Sequence, residues 1–274
     1  MDEPYMFSEQ ELLERLAERK KWYEGIAEPA IPSSNPTVTE VVETLKRDGV
    51  CVIKNFMPHQ AAVDLGKRFN QIIDDHLSGT NQLETKVHNF PKPEICRILH
   101  ADKLHKDAGV FFNSPFILEV AKAYTCGNIV SWQRMAERRN AKIVHGPSDA
   151  YHVDEAFYFK FKAFLYLSDV TETTAPFDYY KGSHRDSIWR TPKELNMLRY
   201  ELEGEDSVFG FRGNFFEDRE IDYLERKHGI ERLICEGKAG TLILTDTRGI
   251  HKATTPVTGG RTMLGHYFEL PRNR

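Results

Sequence analysis

The sequence has few cysteines, and they lie far apart. Among 274 residues there are four, none in a Cys-x-x-Cys pair: Cys51, Cys96, Cys126 and Cys235. This spacing does not indicate a disulfide framework. The opening residues MDEPYMFSEQ also lack the basic start and the apolar run of a signal peptide. We therefore expect reduced thiols and a cytoplasmic location.

The sequence also lacks an excess of positive charge and a long apolar run. It has 37 Lys and Arg residues against 41 Asp and Glu residues, so its formal net charge is −4. A chain with this balance has no basic field to hold a nucleic acid or an anionic membrane by charge alone. A membrane span is excluded, because no apolar run is long enough. We expect a small-molecule substrate, with no nucleic acid and no membrane as partner.

The composition is that of a folded protein, and the length suits one large domain. Hydrophobic residues make up 40% of the chain and charged residues 28%. Residues 1–36 are predicted to form an N-terminal helix, at about 9 to 27, and a proline-rich linker. Residues 37–274 are predicted to form one domain. It begins with a helix, a strand and a helix at Thr37 to Arg47, Val50 to Lys54 and Pro58 to about His76.

From about residue 129 the pattern changes to short aromatic or β-branched runs separated by turn residues, for example FYFKFKAFLYL, GTLILT and RTMLGHYF. Many short strands of this kind predict a mainly β fold, a sandwich or barrel, with the helices outside. One long segment, about 186–238, contains several aromatic residues. Loops of such length inside a compact domain are usually lids or binding loops, so this segment is either a lid over the substrate or a hydrophobic plug.

A His-x-Asp pair on a strand can grip one metal ion, because residues i and i+2 point to the same face. Such a pair is the local half of the two-histidine, one-carboxylate triad that holds non-haem Fe(II). Chance alone predicts about one or two such pairs in this chain. The sequence contains four, beginning at His100, His105, His152 and His184. The first two adjoin a helical pattern and the last lies in a turn, so His152 and Asp154, which precede a long strand, are the favoured ligands.

The third ligand is expected from a distant strand, and His251, at the end of GTLILTDTRGIH, meets that expectation. Ten residues later comes Arg261, after a turn sequence that predicts a hairpin and brings the arginine beside the metal strand. Its guanidinium can hold a carboxylate through two parallel hydrogen bonds. A dicarboxylate cosubstrate that chelates the metal at its other end requires such a clamp. A histidine alone is more often structural, but the combination favours a metal site.

On these residues the chain resembles the phytanoyl-CoA dioxygenase-like (PhyH) family of Fe(II)/2-oxoglutarate-dependent oxygenases. The resemblance runs over about residues 38–270, through LKRDGVCVIKNFMP, RNAKIVHGPSDAYHVDE, FLYLSDVTETTAPFDYYKGSHR and GTLILTDTRGIHKATTPVTGGR. It implies a double-stranded β-helix, the jelly-roll or cupin-like core, with helices outside. It also implies Fe(II), 2-oxoglutarate and O2 as cofactors, His152, Asp154 and His251 as iron ligands, and Arg261 on the distal carboxylate of 2-oxoglutarate.

Four further residues are assigned to the pocket. Before the ligand pair, Arg138 and Asn140 share one face of a predicted strand. The resemblance implies that Asn140 helps to hold 2-oxoglutarate. Arg138 is either a substrate contact or a solvated charge. After the pair, Lys162 faces the barrel interior if the register continues from Asp154, and is then a cosubstrate contact. A bulge or loop would reset that register. Phe164 is expected to line the cosubstrate site.

The resemblance implies oxidation of a small molecule with release of succinate and CO2. An intact Asp154 points to hydroxylation, because halogenating relatives have a small residue in its place. A non-catalytic jelly-roll module that binds a carbohydrate or another small ligand is the alternative. A cupin enzyme independent of 2-oxoglutarate typically carries His-x-His, which this sequence lacks. The protein is expected to be a monomer or a homodimer.

Overall fold

The computed structural model describes residues 35–84, 95–125, 130–140, 150–154, 160–185, 215–216 and 218–269. The helix predicted at about 9 to 27 and most of the predicted lid lie outside these ranges. The helix, strand and helix predicted to open the domain from residue 37 are confirmed as α1 (Val38–Asp48), β1 (Val50–Ile53) and α2 (His59–Leu77). No helix among the described residues is long and apolar enough to cross a membrane.

Helix α1 begins and ends at residues suited to those positions. Thr37 and Glu40 form a reciprocal capping box, which satisfies backbone N–H groups of the first turn. Gly49 ends the helix with φ +78°, a conformation that a residue with a Cβ adopts at a cost. A Cβ at Gly49 would also lie 2.2 Å from the Tyr179 hydroxyl oxygen. Glycine therefore lets the chain turn from α1 directly into β1.

The remaining helices are short or lie between the strands. They are α3 (Ala101–Leu104), α4 (Gly109–Phe112), α5 (Pro115–Tyr124) and α6 (Asp218–His228), with a 3₁₀ turn at Lys106–Ala108. Ser114 caps α5 through its side chain, and Pro115 occupies the first helical position, where its missing N–H costs nothing. Helix α6 and the following strand form the end of the segment that the sequence assigns to a lid.

Eight further strands complete two antiparallel sheets. They are β2 (Ile95–Leu99), β3 (Val130–Asn140), β4 (Phe161–Tyr166), β5 (Phe177–Lys181), β6 (Glu231–Cys235), β7 (Leu242–Asp246), β8 (His251–Ala253) and β9 (Gly260–Glu269). The larger sheet has six strands in the order β1-β7-β4-β9-β3-β2, and the smaller has three in the order β6-β5-β8. Most neighbours in these sheets are not consecutive strands, as crossing connections of a jelly roll require.

The two sheets enclose one core, and helices α1, α2 and α5 cover the outer face of the larger sheet. Phe164, Tyr166 and Met263 of the larger sheet pack with Phe177 and Tyr179 of the smaller one. On the outside, side chains of α1, α2 and α5 pack with the opposite faces of β4, β7 and β9. The predicted mainly β fold, a double-stranded β-helix with helices outside, is confirmed.

Candidate metal centre

The structure brings His152, Asp154 and His251 together. One ligand atom from each lies within 4.8 Å of the others. His251 opens β8, and the segment around His152 pairs with it in antiparallel fashion. The His152 amide donates to the His251 carbonyl at 2.9 Å, and the His251 amide donates back at 2.8 Å. The Asp154 amide donates to the Thr247 carbonyl at 2.8 Å. Backbone pairing therefore sets the spacing of the three side chains.

Both imidazoles are oriented by backbone carbonyls. Nδ1 of His152 lies 2.9 Å from the Ala150 carbonyl oxygen, and Nδ1 of His251 lies 2.9 Å from that of Gly249. A carbonyl only accepts, so each Nδ1 is the protonated nitrogen and each Nε2 is left as a ligand. Burial lowers the pKa of His251 to about 3 and also lowers the pKa of His152. Both rings are therefore neutral near pH 7, the form that binds a metal.

Asp154 is held as a carboxylate. Burial tends to raise its pKa, but the ammonium of Lys162, 2.5 Å from Oδ2, holds that pKa well below its usual range. The Thr247 hydroxyl donates a further hydrogen bond to the same oxygen. Two neutral imidazoles and one ionised carboxylate form the donor set of non-haem Fe(II) sites. The chemistry of these residues therefore fits the metal that the sequence implies.

The other three His-x-Asp pairs take no part in this cluster. Nε2 of His184 lies 3.1 Å from the Lys46 carbonyl oxygen and ties the turn after β5 to α1. His100 pairs with Glu84, and His105 lies beside Asp107 at the 3₁₀ turn. These are structural or surface roles, in agreement with the sequence analysis.

Arg261 lies inside the barrel, and its guanidinium already has partners there. The Nη2 group donates to Oε1 of Glu137 at 2.6 Å, and Nη1 donates to the Ala175 carbonyl at 2.8 Å. The Nε atom is buried and has no hydrogen-bond partner among the described residues. A buried N–H without an acceptor carries a free-energy cost that a bound ligand can remove.

Glu137 is the centre of a buried ionic cluster. Its carboxylate, with no exposed surface, contacts the guanidinium groups of Arg97, Arg139 and Arg261. Burial tends to raise the pKa of Glu137, but the three arginines hold it well below its usual range. Glu137 therefore stays ionised and orients three cations towards the barrel interior.

Lys162 and Phe164 also face the interior, as adjacent same-face positions on β4. The Lys162 ammonium lies 4.3 Å from the centre of the Tyr267 ring, in addition to its contact with Asp154. The Phe164 ring lies 5.3 Å from the Phe177 ring and 6.0 Å from that of Tyr267. Lys162 thus contacts a candidate metal ligand, and Phe164 packs against the rings of Phe177 and Tyr267.

Arg138 and Asn140 share a face, as predicted, but it is the outer face of the sheet. The Nη2 of Arg138 lies 2.7 Å from Oδ1 of Asp74 on α2, and its Nη1 donates to the Asn70 carbonyl. Asn140 is exposed at the end of β3. The structure does not bring either side chain to the metal ligands, so the expected pocket positions of Arg138 and Asn140 are corrected. Strand alternation instead directs the intervening Arg139 inwards.

Sequence reasoning missed Glu137, Arg139 and Arg97. Part of the signal is in the sequence, because strand alternation places Glu137 and Arg139 on one face and Arg138 on the other. Choosing between the two faces requires the partner strands: β3 pairs Glu137 with Met263, and Arg139 with Arg261, on the inward face of β9. Arg97 is opposite Glu137 on β2.

Comparison with known proteins agrees with this architecture. The model of the phytanoyl-CoA dioxygenase (PhyH) family matches residues 45–263. No curated protein matches the sequence significantly. The structure is similar to that of EctD from S. alaskensis with 2-oxoglutarate and 5-hydroxyectoine, with a TM-score of 0.61 and 15% sequence identity. The matched region covers 92% of this chain and 82% of that chain.

Two enzymes of nogalamycin biosynthesis are also similar in structure. For the non-haem α-ketoglutarate-dependent epimerase SnoN, identity is 13%, coverage 84% of this chain and 82% of that chain, and the TM-score 0.56. For the carbocyclase SnoK, identity is 14%, coverage 87% of both chains and the TM-score 0.53. At such identities the likeness establishes the fold, while the family match covers most of the chain. The chain therefore belongs to the phytanoyl-CoA dioxygenase (PhyH) family of Fe(II)/2-oxoglutarate-dependent oxygenases.

Proposed function

We propose that this protein is an Fe(II)/2-oxoglutarate-dependent dioxygenase that hydroxylates a small-molecule substrate. The observation that carries the proposal is the convergence of His152, Asp154 and His251 within 4.8 Å, in the same barrel as the buried Arg261. A small-ligand binding module has no need for three metal-ligating atoms with both imidazoles held in the ligating tautomer.

The overall reaction consumes one O2 and one 2-oxoglutarate for each substrate C–H bond. One oxygen atom enters the new hydroxyl group and the other enters succinate, and the C1 carboxylate of 2-oxoglutarate leaves as CO2. When bound, ferrous iron supplies the site at which oxygen and 2-oxoglutarate react. The protein itself binds, orients and excludes water.

Arg261 is proposed to hold the distal carboxylate of 2-oxoglutarate. Its side chain is 2% exposed, so an ionic contact there is little weakened by water. Two of its nitrogens donate to Glu137 and Ala175, which fixes the guanidinium plane. The buried Nε still has an N–H group to offer. A rigid cation of this kind binds a carboxylate without a large loss of side-chain entropy.

Lys162 and Phe164 are proposed to complete the cosubstrate site. The Lys162 ammonium contacts the Asp154 carboxylate. With Asp154 serving as a metal ligand, this ammonium would be available for a carboxylate of 2-oxoglutarate. Phe164 supplies an apolar wall, which excludes water from the chelate.

Hydroxylation is proposed because the ligand set includes the carboxylate of Asp154. The related folds include an epimerase and a carbocyclase, so the fold alone supports an oxidative enzyme without selecting the outcome. The proposed substrate is a small molecule, and the segment 186–238 is proposed to close over it as a lid.

Anaerobic titration with Fe(II) and 2-oxoglutarate tests the proposal. Wild type is expected to develop the weak visible charge-transfer band of the chelate, and Asp154→Ala to lose it. Arg261→Ala is expected to need at least about 10-fold more 2-oxoglutarate, because a charge-assisted hydrogen bond is lost. Arg138→Ala, on the outer face, is the matched control and is expected to titrate like wild type. No band in wild type, or the same titration in Arg261→Ala, would contradict the proposal.

A further inference from the structure

One arginine of the buried cluster differs from the others in exposure. The side chains of Glu137, Arg139 and Arg261 are at most 2% exposed, whereas that of Arg97 is 26% exposed. Arg97 is opposite Glu137 on β2, on the inward face of the sheet. The Arg97 side chain is therefore more accessible to a small molecule than those of Arg139 and Arg261.

The Arg97 guanidinium has donors to spare. Its Nε group bonds to Oε2 of Glu137, and among the described residues this is the hydrogen bond that the side chain makes. A guanidinium carries five N–H groups, so both terminal nitrogens keep theirs. Their planar fork matches a carboxylate or a phosphate. Glu137 thus fixes the orientation of Arg97 through Nε and leaves the N–H groups of both terminal nitrogens available.

Cationic side chains lie close to the metal ligands. Arg97, Arg139 and Arg261 contact the carboxylate of Glu137, and Lys162 contacts that of Asp154. A cleft lined by side chains of one sign of charge attracts ligands of the opposite sign. An anionic ligand is therefore favoured over a neutral one of the same shape.

Aromatic side chains lie on the same side of the sheet. Tyr267 is within electrostatic range of Arg97, and its ring lies 6.2 Å from that of Trp132. The register between β3 and β9 shifts at Trp132, and such bulges re-aim side chains at barrel rims. Trp132 is 46% exposed, a high value for so large an apolar residue beside a candidate site. Its ring offers a flat surface to the apolar part of a ligand.

We propose that Arg97 is a substrate-binding residue, and that the primary substrate is a small carboxylic acid with a planar apolar part. The carboxylate binds the terminal nitrogens of Arg97, and the planar part packs against the Tyr267 and Trp132 side. This inference rests on the proposed function, since it assigns the substrate class of the same site.

The test compares acids with their neutral amides. The full-length protein is loaded with Ni(II) and saturating 2-oxoglutarate, so that the chelate position is filled and no turnover occurs. Benzoate, phenylacetate and 3-phenylpropionate, each paired with its primary amide, are then titrated by calorimetry and by ligand-observed NMR. We expect at least one acid to bind about 10-fold or more tightly than its amide, and Arg97→Gln to weaken that acid by about 10-fold to 100-fold.

Two further variants keep the test specific. Arg97→Lys retains the charge without the planar fork and is expected to bind the acid with intermediate affinity. Arg134→Gln removes an arginine whose side chain pairs with Asp102 and is expected to behave like wild type. Equal binding of acids and amides, no binding by any acid, or unchanged acid binding in Arg97→Gln would overturn the assignment.

The Fe(II)/2-oxoglutarate band, measured on the same preparations, separates the two proposals. A wild-type protein without the band overturns the proposed function. A normal band in wild type with no preference for acids overturns the role of Arg97 alone. Loss of the band in Arg97→Gln moves this arginine to the cosubstrate site and also overturns its role in substrate binding.

Discussion

Arg261 and Glu137 form a buried ion pair, with Nη2 of the arginine 2.6 Å from Oε1 of the carboxylate and almost no exposed surface on either side chain. The clamp proposed for 2-oxoglutarate is therefore not a free side chain that the ligand must order. Its orientation is fixed by a carboxylate that also contacts Arg97 and Arg139. Changes at Glu137 are expected to affect both stability and cosubstrate binding.

Glu137→Gln is expected to destabilise the protein by about 3–5 kcal/mol at neutral pH, because it leaves buried arginines without their counter-ion. The folded-state pKa of Glu137 lies well below its unfolded value of about 4.3. The contribution of the Glu137 carboxylate to the free energy of unfolding is therefore complete above about pH 4.3, and it is lost as the pH falls towards the folded-state pKa. Urea unfolding should show that the difference in unfolding free energy between wild type and variant becomes smaller below about pH 4. Glu43→Gln, at the surface, is the control, and a gap independent of pH would contradict the assignment.

Thr247→Val is expected to weaken Fe(II) binding by about 10-fold to 100-fold, because the hydroxyl that holds Oδ2 of Asp154 is removed. Thr245→Val on β7 is the matched control. That side chain is equally buried, but its hydroxyl bonds to the Gly49 carbonyl rather than to a candidate metal ligand. Anaerobic competition with a colorimetric chelator measures both affinities. Equal loss in the two variants would indicate a general packing defect.

Lys162→Met is expected to increase the stabilisation that a metal confers. In the metal-free protein the variant leaves the Asp154 carboxylate without its ammonium partner, which destabilises that form. Binding of Ni(II) restores a cation, so the rise in melting temperature on adding Ni(II) should be larger than in wild type. Lys160→Met, which removes the ammonium stacked near the Trp132 ring, should show the wild-type rise. A smaller rise in Lys162→Met would contradict this description.

Arg138→Ala is expected to leave 2-oxoglutarate turnover unchanged and to lower stability by at most about 1 kcal/mol. Its partner Asp74 is 57% exposed, and ion pairs open to water contribute little. Succinate release without added substrate and thermal unfolding measure the two effects. A large loss of turnover with normal stability would contradict the placement of Arg138 outside the active site.

Much of the fold and two of the three candidate metal ligands were predictable because their signals are local. A capping box at Thr37, a Pro58 start and the alternation along β4 each depend on a few neighbouring residues. The His152 and Asp154 pair is likewise local, since i and i+2 share a face of an extended segment. His251 and Arg261 lie on distant strands, and their prediction combined the end of one strand pattern, a hairpin turn sequence and the family resemblance.

The ionic interior was not predictable from a local pattern. Arg97, Glu137 and Arg139 are charged residues within strands, which sequence reasoning normally places at the surface. They are buried because their charges compensate one another across adjacent strands. The face of Arg138 depended on the same non-local register. For Lys162, the alternation along β4 defines two faces but does not say which of them is inward.

The reciprocal peptide hydrogen bonds between His152 and His251 have a consequence for metal uptake. They close a small ring of main-chain atoms that joins two ligand-bearing segments almost a hundred residues apart. Most of the ordering entropy of the site is thus lost when the chain folds, before any ion arrives. We therefore expect iron to leave and return without dismantling its own binding site, so that exchange is governed by access rather than by refolding.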